Sequence, residues 1–563
     1  MYSFSKKEAL VARNPNQPAL ARNGSVENWG SKIGVILAVA GSAVGLGNFL
    51  RFPGNAALYG GGVFMIPYFI SMIILGIPIC WVEWTMGRYG GAYGYNSAPG
   101  IFSVLWRKSY GKYFGVLALL IPVVIYMYYV YVEAWCLSYA IDYATGKMAA
   151  IAENTTPGEE IQQYKDHFVN FVGKDENGFP KGKVLIILAF VFLPNFVFIF
   201  RGLTKGIEVF CKFAMPLLIV CALIILVRVL TLGTPDPTQP ENNINNALGF
   251  MWNPKPIDKD GTVWGALSNP QIWLVAAGQI FFSLSVGFGI VLNYASYLRK
   301  NDDVVLSALT ASATNQFCEV CLGGLITIPV AFLFLGASQL NIDTLGTSMA
   351  LGFHALPAVF SRMPAGQFFG MLWFFTLFIA AITSSLSMLQ PAIAFLEEGF
   401  GLGRRASVTC LGFIVATGNL IVIYFSKDLL AHETMDFWVG TVCIFILATI
   451  QVITVGWVFG IKNARKEVQR GAELHIPNIF WFIIKYVSPL YLLTIFSCWC
   501  YNNIPVFYEN ITQVLPEDDR DTVLFVLAFL VGVLIFFAML VYLAGRRWNE
   551  RETWNRAKEE VGV

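Results

Sequence analysis

Charge is what this sequence has least of. Only 13% of its 563 residues are Asp, Glu, Lys or Arg, where a soluble domain carries about 25%. Hydrophobic residues make up 56% and aromatic ones 15%, and the mean hydropathy is +0.60. So little polar surface cannot cover a water-soluble globule of this size, which excludes a soluble enzyme and a disordered chain. The apolar content is also too high for a porin-like barrel of alternating strands. A net charge of +2 gives no general attraction to phosphate, so no nucleic-acid partner is expected. Histidine is scarce as well: His167, His354, His432 and His475 lie in or near polar connections. None sits mid-span, so a histidine proton relay is not expected. The ten cysteines (Cys80, Cys136, Cys211, Cys221, Cys318, Cys321, Cys410, Cys443, Cys498 and Cys500) all fall inside apolar runs. They read as small buried hydrophobes rather than a disulfide framework. Cys318 and Cys321 are one helical turn apart but lack a second pair at zinc spacing.

Long apolar runs are what the chain has in abundance. They begin near Lys32, Val63, Tyr113, Val184, Gly206, Gln271, Val304, Gln367, Ser407, Met435, Ile479 and Thr522. A crossing helix needs about 20 such residues, so the pattern predicts an all-α polytopic membrane protein with about 12 spans, helical because lipid cannot satisfy a bare backbone. The first thirty residues are polar, contain Lys6, Lys7 and Arg13, and have no apolar signal-peptide core. Basic residues crowd alternate connections: Arg88, Arg107, Lys108 and Lys112; Arg201 and Lys205; Arg299 and Lys300; Arg404 and Arg405; Lys462, Arg465, Lys466 and Arg470. The end of the chain adds Arg546, Arg547, Arg551 and Arg556, while an opposite connection carries Glu517, Asp518 and Asp519. The positive-inside rule then places both termini in the cytoplasm, and an even span count agrees. The outer connections Thr145–Lys183, Gly233–Pro270 and Ala337–Gly366 are long enough to have structure or function of their own. Asn154-Thr155-Thr156 fits a glycosylation acceptor, a weak three-residue match.

Two spans carry a fault in the middle. The first reads Gly41-Ser42-Ala43-Val44-Gly45-Leu46-Gly47-Asn48 and the sixth reads Phe282-Ser283-Leu284-Ser285-Val286-Gly287-Phe288-Gly289. Val44-Gly45-Leu46-Gly47 and Val286-Gly287-Phe288-Gly289 nearly repeat one another, at equivalent places if two five-helix halves repeat. Small residues also allow close helix packing. A matched pair in corresponding spans points instead to broken helices and a midplane binding site. Glycine costs about 1 kcal/mol in a helix interior, so breaks are easiest there. A break exposes amide N–H groups and a positive dipole end that suit a carboxylate, and carbonyls that suit a cation such as Na⁺. Asn48, Ser283, Asn315, Thr383 and Ser384 supply further oxygens. The Thr383-Ser384-Ser385 cluster could instead bond back to its own helix.

These residues resemble the neurotransmitter:sodium symporter family, and its bacterial amino acid branch in particular. The resemblance rests on Trp29, Gly41 through Pro53, Glu83 through Tyr89, Phe281 through Gly289, Thr383 through Ser385, and Met435 through Trp438. It runs from about residue 25 to about residue 545. It implies a five-plus-five inverted repeat with broken helices 1 and 6: a cytoplasmic tail over 1–30, a first repeat over 31–232, an extracellular connection over 233–270, a second repeat over 271–461, two further helices over 462–546 and a cytoplasmic tail over 547–563. It also implies sodium-driven uptake by alternating access through a multi-pass protein of the plasma membrane, here a bacterial inner membrane. Two Na⁺ sites follow. The first would use Ala43, Asn48, Ser283 (threonine in many relatives), Asn315 and the substrate carboxylate. The second would use Gly41, Val44, Ala380, Thr383 and Ser384. Substrate would meet the amides near Leu46 and Gly47 and the hydroxyl of Tyr129 with its backbone. Its side chain would lie among Ile125, Phe282, Ser285, Phe288, Ser384 and Met388, and Ser42, Ala43, Gly45 and Ser283 also count among the substrate-binding residues.

Gly45 stands where the monoamine branch has an aspartate, which leaves the substrate to bring its own carboxylate. Glu319, one turn after Asn315, stands where chloride-dependent relatives have serine, so the resemblance implies chloride independence. The lining lacks charge, which suits a neutral, mainly apolar amino acid. Arg51 and Asp436 would form the extracellular gate, and Tyr297 and Glu398 belong to the cytoplasmic one. The basic partner of that inner gate is open: the family position is closest to Val26, and the nearest basic residue is Arg22. Gly206 and Pro216 in the fifth span fit either local unwinding or a simple kink. An amino acid sensor of the same fold that does not transport, and a proton-coupled transporter, are the rival readings. No enzyme is expected, for want of a nucleophile–base or metal cluster. A homodimer stays open.

Overall fold

A computed structural model describes residues 29–153, 159–174, 179–255, 261–340 and 346–561. Arg22, Val26 and the Asn154–Thr156 tripeptide lie outside the described residues. Helix is the only extended element among the described residues; the pairings Gly61–Pro254 and Lys174–Pro180 are isolated bridges. Nine helices there are long and apolar enough to cross a bilayer, and Ile33–Ala43 with Gly47–Leu58 forms a further crossing bent by 49°.

Two more crossings are hidden by length. The run Gly182–Leu230 is too long for one pass. It turns at Gly202, where φ is +88°. Phe198 and Phe210 would stand about 18 Å apart on a straight helix, yet their ring centroids are 4.8 Å apart across the turn. The fourth pass is therefore Gly182–Gly202, and the fifth covers 203–230. The sixth is assembled from Pro270–Leu284 and Ile290–Ala295. The remaining passes are Gly62–Ala92 (second), Gly111–Ala144 (third), Val304–Leu335 (seventh), Gly366–Phe400 (eighth), Arg404–Tyr424 (ninth), Leu430–Val468 (tenth), Asn478–Val514 (eleventh) and Glu517–Trp548 (twelfth). That makes twelve passes among the described residues, and it brings the start of the first pass and the end of the twelfth to one side, hereafter the termini side.

Burial sorts these helices. In the third pass 94% of the most apolar stretch is covered by protein, and in the twelfth 22%. The third is therefore interior and the twelfth peripheral, with its leucines and phenylalanines turned to lipid, as in a protein whose solvent is hydrocarbon. The expectation that all ten cysteines are buried hydrophobes needs correction on this ground. Cys80, Cys136, Cys211, Cys221 and Cys318 are buried, Cys321, Cys443, Cys498 and Cys500 are half-buried, and Cys410 is exposed on the ninth pass. An apolar run marks contact with lipid as readily as contact with protein. The long far-side connections have helices of their own, among them Glu160–Val172, Ile244–Trp252 and Leu356–Arg362.

Candidate substrate and ion site

The first pass opens at Ser31, whose hydroxyl accepts the Gly34 N–H at 3.0 Å and caps the helix. It leaves the helical conformation at Val44 (φ −77°, ψ 99°) and resumes at Gly47. Asn48 holds the gap: its Oδ1 accepts the Gly45 N–H at 2.8 Å. Gly45 has no room for a side chain, since a Cβ there would stand 2.6 Å from the Tyr129 hydroxyl and 3.2 Å from Ser384 Oγ.

The sixth pass breaks differently. Between Leu284 and Ile290 three residues take positive φ: Ser285 at +52°, Gly287 at +77° and Gly289 at +84°. Glycine accepts this conformation at no steric cost, whereas a serine there marks local strain. Glu83, fully buried on the second pass, accepts the Gly287 N–H at 3.1 Å and a hydrogen bond from Gln451 Nε2 at 2.6 Å. The unwound amide is thus held by a carboxylate from another helix.

Between the two breaks is a fully buried polar cluster. Asn48 Nδ2 donates to Asn315 Oδ1 at 2.8 Å, Asn315 Nδ2 donates to Ser283 Oγ at 2.6 Å, and Ser283 Oγ donates to Glu319 Oε2 at 2.5 Å. Glu319 also accepts from Tyr68 Oη at 2.7 Å, Gln279 Nε2 at 2.6 Å and Gln316 Nε2 at 3.3 Å. In this arrangement Asn315 Oδ1 faces the carbonyl oxygens of Ala43 and Ser283, each 3.2 Å away. Turning the Asn315 amide over would let it donate to both carbonyls, with its oxygen 2.6 Å from Ser283 Oγ. It would also set its nitrogen against that of Asn48, whose oxygen is already committed to Gly45. The unflipped arrangement keeps every donor directed and leaves three oxygens converging. Lone pairs facing lone pairs in a buried site suit a hard cation, which takes oxygen ligands.

A second group of oxygens lies where the eighth pass meets the first. Thr383 Oγ1 is 2.9 Å from the Ala380 carbonyl, 3.2 Å from that of Ile379 and 3.4 Å from that of Val44. Ser384 Oγ donates to the Ser42 carbonyl at 2.9 Å, and Ser285 Oγ donates to the same oxygen at 3.1 Å. Ser385 instead bonds Asn195 Oδ1 at 2.8 Å and its own helix at Ile382. The hydroxyl cluster thus bonds back to its helix and across to the first pass at once. Gly41, the remaining residue expected here, packs against Cys211 and Met215 of the fifth pass.

Beside both groups is a tightly closed cavity of about 10 Å³, lined by Ala43, Gly45, Gly47, Tyr129, Phe282, Ser285, Phe288, Ser384 and Met388. None of these side chains is charged, and all nine were expected from sequence. The other expected substrate residues lie outside the lining. Ser42 and Ser283 are in the polar clusters, and Ile125 is buried in the third pass. The Leu46 amide, expected free for a carboxylate, already donates to the Tyr129 hydroxyl at 3.1 Å. That hydroxyl keeps its own proton to donate.

On the far side Arg51 Nη1 lies 3.6 Å from Asp436 Oδ1, with the guanidinium 4.5 Å above the Phe282 ring. Tyr128 Oη also donates to Asp436 Oδ1, at 2.8 Å. Both charged side chains are part-exposed, and such pairs contribute about 0–1 kcal/mol, so this closure is weak. On the termini side Glu398 caps the short helix Ala98–Trp106 through the Asn96 and Ser97 N–H groups (2.6 and 2.9 Å) and the Ser97 hydroxyl (2.8 Å). Tyr297 is buried nearby in the chain, beyond the Ile290–Ala295 helix. Trp29 Nε1 donates to the Tyr294 carbonyl at 3.1 Å. The Gly206–Pro216 stretch is helical throughout, Pro216 included. Sequence reasoning missed Tyr68, Gln279 and Gln316 around Glu319, and Tyr128 at the gate. It quoted Glu83 without seeing its role; a carboxylate within an apolar run was the available signal.

Comparison with known proteins agrees with this geometry. The model of the family described as "Sodium:neurotransmitter symporter family" matches residues 26–156 and 145–545. An uncharacterized sodium-dependent transporter of Haemophilus influenzae is 29% identical over 490 residues, covering 84% of this chain and 98% of the relative. One of Methanocaldococcus jannaschii is 28% identical over 478 residues, covering 83% of this chain and 89% of the relative. The crystal structure of MhsT in complex with L-phenylalanine superposes with a TM-score of 0.69 at 26% identity, covering 84% of this chain and 99% of that one. With the family model spanning nearly the whole chain, and broken first and sixth helices enclosing its central cavity, the chain belongs to the sodium:neurotransmitter symporter family of membrane transporters, which use sodium as the coupled ion.

Proposed function

We propose that this protein imports a neutral, mainly apolar amino acid together with two Na⁺ ions, independently of chloride, with both termini in the cytoplasm. The observation that carries the reading is the convergence of Ala43, Ser283 and Asn315 oxygens beside an uncharged, aromatic cavity. A cation bound there lacks a protein carboxylate facing the cavity at Gly45. A zwitterionic substrate supplies one, and an unpaired buried charge is costly. Ion and substrate therefore raise each other's affinity, since coupling between sites is reciprocal. Thr383, Ser384 and the carbonyls of Val44 and Ala380 suit the second ion. The ring and methionine lining suits a neutral side chain in character, the closed site widening to admit it, and MhsT, solved with L-phenylalanine, is a related protein with an apolar amino acid bound.

Glu319 supports chloride independence. Four donors converge on its carboxylate, which is the coordination an anion would otherwise take, so the fixed negative charge stands in for one. In the cycle, Arg51 and Asp436 part to admit cargo from outside. Loss of the second ion then frees the termini-side half of the first pass to swing away and release it.

Flux of radiolabelled neutral amino acids into proteoliposomes tests this. Uptake should require an inward Na⁺ gradient, fail with K⁺ or choline, and persist when gluconate replaces Cl⁻. Glu319→Ser should make uptake chloride-dependent, falling at least tenfold in gluconate. Sodium-dependent binding without flux would favour the sensor reading instead.

A further inference from the structure

We propose that Glu208 is a positioning residue that latches the termini-side half of the first pass shut, and that Lys212 receives its carboxylate when the latch opens. The inference rests on the alternating-access reading, in which that half moves. Glu208 is buried in the opening turn of the fifth pass. Its Oε2 accepts the Gly30 N–H at 3.0 Å and its Oε1 accepts the Ser31 hydroxyl at 3.1 Å. Ser31 is the residue that caps the Lys32–Ala43 helix. A carboxylate on one helix therefore sits at the positive end of another, where a negative charge is stabilising. The approach needs a bare backbone, because a Cβ on Gly34 would overlap that carboxylate. The same fifth pass touches the first again at Gly41, where an added Cβ would lie 3.0 Å from Cys211 Sγ. One helix thus fastens both ends of the segment that must move.

Lys212 makes the latch reversible. Its Nζ is 2.7 Å from Glu208 Oε1, one turn on, and its side chain reaches the exterior. When Gly30 and Ser31 leave, Glu208 would otherwise be a buried carboxylate stripped of its donors, which is costly. The lysine already in contact offsets that cost.

Cys211 reports the motion without any introduced label, being fully buried against the first pass. The full chain in lipid nanodiscs is exposed to N-ethylmaleimide in Na⁺ or in K⁺, and modification of each cysteine is followed by peptide mass spectrometry. In the wild type Cys211 should react more slowly in Na⁺ than in K⁺. Glu208→Gln keeps the size but weakens the latch: Cys211 should react about tenfold faster in Na⁺, and the Na⁺ concentration for half-protection should rise. Lys212→Met keeps the latch and removes its successor, so Cys211 in K⁺ should react about threefold more slowly than in wild type. General loosening would also unmask Cys136 and Cys318, both fully buried on other passes, and would overturn the proposal. So would variants that follow the wild type in both ions, with Lys212→Met deciding alone if Glu208→Gln does not fold. A wild-type Cys211 indifferent to sodium would overturn the alternating-access reading beneath it, a result distinct from failure of the latch.

Discussion

The two broken helices reach the same end by opposite means. The first leaves the helical path at Val44 and Gly45 without a positive φ, and one side chain of its own, Asn48, takes up the freed amide. The sixth is open over Ser285–Gly289, with three residues in the left-handed region and a carboxylate from the second pass on its amide. The sixth break is therefore written into the backbone, since two of those residues are glycines that need no help to adopt it. The first break is written into side chains. Asn48 serves both the gap and the oxygen cluster, so whatever binds that cluster acts on the gap. Under the function proposed above, the difference assigns roles: the sixth helix is the fixed wall of the site and the first is the part that answers to the ion.

The sharpest way to break this contrast is Asn48→Ala. It removes the strut across the first gap and the donor that orients the Asn315 oxygen of the cluster together. Sodium-dependent amino acid binding should fall by at least a hundredfold in a scintillation assay, while the protein still purifies as a folded monodisperse species. Unchanged sodium dependence would dissolve the distinction.

Two alanine substitutions sharpen it next. At Gly289 the added Cβ meets φ +84° and lies 2.6 Å from Ala118 Cβ. The strain is about 1–2 kcal/mol before the clash is counted. Gly289→Ala should lower thermal stability by several degrees. Gly45→Ala carries no such strain but meets the Tyr129 hydroxyl at 2.6 Å. It should weaken substrate binding about tenfold or more and leave the melting temperature nearly unchanged. Interchanged effects would mean the two helices have been assigned the wrong roles.

The smallest expected effect is that of the conservative substitution at Glu83. Glu83→Gln keeps an oxygen for the Gly287 N–H and should cost under about 1 kcal/mol. Glu83→Ala leaves that amide and Gln451 unpaired and should cost about 1–3 kcal/mol. Equal losses from both would show that the charge, and not the acceptor, supports the sixth break.

The fold was legible because lipid imposes a simple grammar: length and apolarity identify nearly every pass. Even where the fourth and fifth passes follow one another directly across Gly202, separate runs from Val184 and Gly206 and the basic pair Arg201 and Lys205 marked the turn. The breaks were legible as paired glycines, since the cost of helical glycine is local. The partners of the breaks were not. Tyr68 meets Glu319 across 251 residues and Gln451 meets Glu83 across 368, and contacts of that span leave no period in a sequence. The Leu46 amide shows the same limit: the glycines announce that it is freed, but only packing reveals that Tyr129 takes it. Glu398 was expected at a gate, and among its partners are the N–H groups and the hydroxyl that open Ala98–Trp106.

The Ser42 carbonyl accepts hydroxyls from both Ser285 and Ser384. A single peptide unit is thereby a three-way junction among the first, sixth and eighth passes. Displacing it by little more than an ångström releases both donors together, because neither has the other to fall back on. Intermediate positions of that backbone are therefore penalised twice over, so the contact among three helices is made whole or lost whole, a discrete step of the kind a carrier requires if it is never to stand open at both ends.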